Sequence, residues 1–91
     1  MARKLIFPSG KARKSLISFL RKHPELEERA RDVLDVLLKN PLDRAVSAHK
    51  LTGQLKYFYG ADITPHRYRI VYAFDTDHVF FLNIGTHDEV Y

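Results

Sequence analysis

The hydrophobic pattern changes period once, near Asn40-Pro41, and that switch restricts the fold more than any other feature of the chain. Before it, apolar residues recur at helical spacing: Ala12, Leu16, Phe19 and Leu20, then Leu26, Ala30, Val33, Leu34, Leu37 and Leu38. These predict two amphipathic helices, each of which needs a surface to cover its apolar stripe. Ser9 is placed to cap the first, over residues 10–22. The second follows His23-Pro24, opens on Glu25, Glu27 and Glu28 where the helix dipole favours acids, and ends at Asn40-Pro41.

Beyond the switch, Gln54 to Tyr59, Tyr68 to Phe74 and His78 to Ile84 are rich in aromatic and β-branched residues and predict three strands. Asp75-Thr76-Asp77 is turn chemistry, which makes the last two an antiparallel hairpin. Lys4-Leu5-Ile6-Phe7, stopped by Pro8, adds a short first strand. The expected order is β-α-α-β-β-β, an α+β fold with two N-terminal helices packed on a four-stranded, mainly antiparallel sheet. In the third strand Tyr68, Ile70, Tyr72 and Phe74 alternate with Arg67, Arg69, Val71 and Ala73. One sheet face can then take the helices while the other presents arginine. Ninety-one residues allow a single domain, 1–91, with one core and no repeat or linker.

Several function classes are excluded by what the chain lacks. There is no cysteine, hence no disulfide framework, no thiolate nucleophile and no cysteine-built zinc site. No apolar run, Val79 to Leu82 among them, comes near the length of a membrane span, and Met1 to Pro8 has no signal-peptide core. A cytoplasmic protein without membrane association is expected. No two histidines stand four residues apart and no His-Glu-x-x-His motif occurs, so no metal site is expected. Gly10-Lys11-Ala12-Arg13-Lys14-Ser15 lacks the spacing of a P-loop.

Charge is unevenly placed. Residues 1–22 hold seven of the fifteen basic side chains and none of the eleven acidic ones. A one-sided basic segment suits a polyanionic partner, nucleic acid or an acidic protein, and is equally compatible with a solvated helix face. The chemistry-bearing residues gather in the second half: His49, Lys50, Lys56, His66, Arg67, Arg69, His87 and Tyr91. Two histidines facing one phosphate can serve as base and acid in RNA transesterification, with an arginine meeting the charge on the phosphoryl oxygens. His23 and His78 read instead as structural residues.

Three blocks carry a resemblance. His49-Lys50-Leu51-Thr52-Gly53-Gln54-Leu55-Lys56, Tyr68-Arg69-Ile70-Val71-Tyr72 and Asn83-Ile84-Gly85-Thr86-His87-Asp88-Glu89-Val90-Tyr91 resemble, in order and spacing, the RelE/ParE toxin superfamily. Within it the chain resembles the YafQ-like ribosome-dependent mRNA interferases. The resemblance implies a RelE-like fold and the toxin of a type II toxin–antitoxin pair. Such a toxin cleaves mRNA in the ribosomal A site, by attack of a ribose 2′-hydroxyl on the adjacent phosphate, without metal or cofactor. It implies His87 as the catalytic acid/base, Tyr91 as the closing aromatic residue, His49 as the upstream histidine and Arg69 as the arginine that steadies the phosphate.

Where many such relatives carry an aspartate two residues before that arginine, this chain has Arg67, preceded by His66. His66 is therefore a second candidate base beside His49, and Arg67 a residue that tunes the site. The paired lysines of RelE-type members are replaced by Gly60 and Asp62. Lys50, Lys56 and Arg67, with Lys11, Arg13 and Lys14 on the first helix, are the expected RNA contacts. The implied partners are the ribosome, mRNA and an acidic antitoxin wrapped around the toxin. Two alternatives share the fold: a ParE-like DNA gyrase poison, and an interaction protein that keeps antitoxin binding with little catalysis.

Overall fold

The computed structural model describes residues 2–65, 67–86 and 90. Its elements are β1 (Lys4–Ile6), α1 (Gly10–Lys22), α2 (Glu27–Lys39), β2 (His49–Lys50), β3 (Tyr59–Thr64), β4 (Tyr68–Phe74) and β5 (His78–Thr86). Single 3-10 turns occupy Pro24–Leu26, Arg44–Val46 and Gly53–Leu55. The strands form one sheet in the order β1-β5-β4-β3-β2, with β1 parallel to β5 and every other pair antiparallel.

Both helices lie where their periodicity puts them. Ser9 Oγ accepts the Ala12 N–H at 3.1 Å, which satisfies one orphan donor of α1, and Arg21 and Lys22 complement the dipole in its last turn. Glu25 belongs to the 3-10 turn, so α2 begins at Glu27. The helices bury Ala12, Phe19, Ala30, Val33 and Leu37 against Ala61, Ile63, Tyr68, Ile70, Tyr72, Val79 and Phe81 of the sheet. Tyr72 is fully buried, and its hydroxyl donates to the Pro41 carbonyl just beyond α2. Burial, with the Tyr59 phenol nearby, raises the Tyr72 pKa well above the ordinary range, so the phenol remains a donor.

Two β-bulges adjust which side chains face the helices. On β5 the pairing passes from Phe81 opposite Tyr72 to Asn83 opposite Val71, leaving Leu82 as the extra residue. The slip returns Ile84 to the core after Val79 and Phe81. The Ile84 N–H at this bulge donates to Ser15 Oγ at 3.2 Å and Asn83 Oδ1 at 2.9 Å, and Ser15 Oγ donates to Asn83 Oδ1 at 2.8 Å. On β3 the register slips between Asp62 and Thr64.

Two expectations need correction. The sheet has five strands rather than four, and Gln54 to Tyr59 is not a strand. Gly53, with φ of +68°, opens a 3-10 turn there, and the strand that follows is Tyr59–Thr64. The second sheet face is also not an open arginine surface. Val71 is 4% exposed, and Leu51 is buried outside the helix-side core, because the segment after β2 lies against this face.

Candidate functional site

A cleft of about 630 Å³ opens on the sheet face away from the helices, lined by His49, Lys50, Leu51, Thr52, Gln54, Leu55, Arg69 and Val90. Three pieces of chain build it. Strand β2 carries His49 and Lys50 opposite Gly60 and Tyr59 of β3. The 3-10 turn at Gly53–Leu55 forms one wall. Strand β4 supplies Arg69 from the pleat position between core residues Tyr68 and Ile70.

His49 is exposed, and its Nδ1 lies 2.7 Å from the Ser47 carbonyl oxygen. A carbonyl only accepts, so Nδ1 carries a proton, and the neutral ring keeps its lone pair on Nε2. That is the tautomer a general base requires. Ser47 adopts a left-handed backbone with φ of 54° in the bend that presents this carbonyl.

Arg69 is not a loose surface cation. Its Nε lies 3.0 Å from Asp62 Oδ1, and both side chains are largely withdrawn from solvent. The two are directly opposite across β3 and β4. The contact is an ion pair by distance, since the buried Oδ1 takes no aligned hydrogen bond. A guanidinium held on a cleft wall in partial burial is suited to meet a phosphate, because reduced dielectric strengthens the attraction. Asp62 is the residue that sequence reasoning missed as a partner, and the only signal for it is strand register.

The other candidates are dispersed. Lys50 lines the cleft, whereas Lys56 stands over the exposed Tyr57 ring at 5.1 Å and does not line it. Arg67 precedes β4, and its guanidinium lies 5.2 Å from the Tyr68 ring, so strand alternation does not carry it to Arg69. Lys11, Arg13 and Lys14 are exposed on α1, away from the cleft lining. His66, His87 and Tyr91 lie outside the described residues.

His23 and His78 have structural partners. His23 packs 4.8 Å from Phe19 and 4.7 Å from Tyr68, ring to ring. His78 Nδ1 is 3.0 Å from Asp75 Oδ1, which also accepts the Asp77 and His78 N–H groups. The Asp77 N–H above all, and then His78, hold the Asp75 carboxyl below the usual carboxylate range. Among the described residues no three His, Asp or Glu side chains converge on a metal-sized site, and no helix is long and apolar enough to cross a membrane.

No protein-family profile and no curated protein sequence matches the chain. Solved structures do match it over nearly its whole length. YafQ from E. coli strain BL21(DE3) is 20% identical with a TM-score of 0.79, covering 98% of each chain. The YoeB dimer from Staphylococcus aureus gives 22% and 0.78, over 96% of this chain and 99% of that one. The E. coli DinJ-YafQ toxin-antitoxin complex gives 22% and 0.78, over 100% and 99%.

Proposed function

We propose that this chain, which has the fold of the YafQ and YoeB toxins, is a RelE/ParE-superfamily toxin of a type II toxin–antitoxin pair that cleaves mRNA on the ribosome. The observation that carries the reading is the convergence, in one cleft, of an imidazole anchored through Nδ1 to the Ser47 carbonyl and a guanidinium held beside a carboxylate. Nothing in a pure docking surface calls for that pairing.

In the reaction, His49 Nε2 takes the proton of a ribose 2′-hydroxyl, with His66 as the second candidate for this step. The 2′-oxygen attacks the adjacent phosphorus, and the bond to the 5′-oxygen of the next nucleotide breaks. His87 returns a proton to that leaving oxygen. The products are a 2′,3′-cyclic phosphate and a free 5′-hydroxyl. Arg69 meets the charge that builds on the phosphoryl oxygens, where a preorganised donor acts most strongly. Tyr91 closes the site over the RNA, and Lys50 holds backbone phosphate at the rim. Lys56, Arg67 and the basic face of α1 (Lys11, Arg13, Lys14) supply longer-range attraction to ribosomal RNA or to an acidic antitoxin. The protein acts in the cytoplasm, where the ribosome and a cognate antitoxin compete for it.

The test is induction followed by primer extension. Discrete breaks are expected inside translated reading frames and none in an untranslated copy of the same RNA. His87→Ala should lower cleavage by about 10²–10⁴-fold, the worth of positioned acid–base catalysis, while antitoxin binding persists. Intact mRNA with cleaved DNA–gyrase complexes decides for the gyrase poison instead.

A further inference from the structure

Asp62 stands behind the cleft and not in it. Its carboxylate is 3.0 Å from Arg69 Nε and 14% exposed, yet it is not among the residues that line the cavity, whereas Arg69 is. Burying a carboxylate this far costs free energy unless another group compensates, and here the compensation comes from the guanidinium directly across the ladder. The β3 register slips immediately after Asp62, a distortion of the kind that re-aims side chains beside functional sites.

We infer that Asp62 is a positioning residue: its charge holds the Arg69 guanidinium in place at the cleft wall so that the arginine meets an RNA phosphate in the geometry of the transition state. This rests on the mRNA-cleavage reading above and extends it to a residue that touches no substrate. A guanidinium has a fixed donor fork, so a carboxylate held 3.0 Å from Nε by charge limits where the group can sit and hence where its other N–H groups can reach. A negative charge so near a phosphate site does nothing for affinity, since it cancels part of the arginine's attraction. What it supplies is orientation, and orientation acts on the bond-breaking step more than on binding.

Asp62→Asn keeps the shape and removes the charge. Single-turnover cleavage on programmed ribosomes should fall by about 10- to 100-fold, as expected for a misaligned group, while ribosome affinity stays equal or rises slightly. The loss should vanish when Arg69 is already gone: Asp62→Asn added to Arg69→Ala should cleave no more slowly than Arg69→Ala alone. A further loss in the double variant, or wild-type turnover in the single one, overturns the inference. A second measurement needs no variant. The Arg69 Nε–Hε proton in the wild-type protein should exchange with water more slowly than those of the exposed arginines, as followed by NMR. Equal exchange overturns the positioning role even in an active enzyme. Wild-type protein that leaves mRNA intact on ribosomes overturns the underlying reading instead, whatever the Hε proton shows.

Discussion

Arg69 and Ile70 are neighbours in β4, and they belong to two different kinds of surface. Ile70 is fully buried against the helices, among Leu37, Val33, Ile63 and Tyr72. Arg69 faces the cleft, paired to Asp62 and sharing the wall with His49 and Lys50. The helix side is held by contacts that are apolar, numerous and interchangeable within limits of volume. The cleft side depends on a few polar groups whose partners include Ser47 for His49 and Asp62 for Arg69. A single strand thus separates what keeps the protein folded from the candidate site, and the two sides should respond differently to substitution.

The sharpest contrast is expected on the cleft side. His49→Ala should cut ribosome-dependent cleavage by about 10²–10⁴-fold and leave the melting temperature nearly unchanged, because the ring is exposed. An equal loss of stability would break the separation. On the helix side, Leu37→Ala should cost about 2–5 kcal/mol in urea unfolding, with turnover per folded molecule preserved. Tyr72→Phe comes next: it strands the buried Pro41 carbonyl and should cost about 1–3 kcal/mol in the same measurement.

The smallest effect is expected where neither face is involved, at the turn joining β4 to β5. The Asp75 carboxyl is held below its unfolded pKa by the Asp77 N–H and by His78. Its stabilisation is therefore present above the ordinary carboxylate range and lost as pH falls through the depressed folded value. Asp75→Asn should flatten the acid limb of a stability–pH curve slightly and leave the neutral plateau and cleavage in place.

The two sides also differed in how well the sequence foretold them. Helix α1 was legible to the residue because its cap, its periodicity and its basic last turn agree. Strand β4 was equally plain from its aromatic and β-branched content. Strand β3 was not, since Gly60, Ala61 and Asp62 carry low strand propensity and are held extended by the ladder to β4. The aromatic stretch before it, Gln54 to Tyr59, misleads for the converse reason: Gly53 opens a 3-10 turn there, and the ladder begins only at Tyr59. In the cleft, His49 and Arg69, named as site residues in the sequence, line the same cavity, whereas Asp62 is invisible as a partner because its pairing depends on long-range register. Lys56 and Arg67 are near in sequence to the site and stand over the aromatic rings next to them, Tyr57 and Tyr68.

The sheet order has a consequence for how the protein comes into being. Strand β5 is the last in chain order and lies between β1 and β4, so the five-stranded sheet is not complete until residues 78–86 are in place. A chain that stops short of them holds two unjoined pieces: β1 with the helices, and the β2–β3–β4 ladder. The keystone contact, Lys4 beside His78, closes a loop that spans most of the sequence, and such closures come late and slowly. The cleft lies on the other side of that divide: apart from Val90, its lining comes from residues 49–69, so its walls belong to the β2–β3–β4 piece, while the closure of β1 on β5 completes the core beneath it.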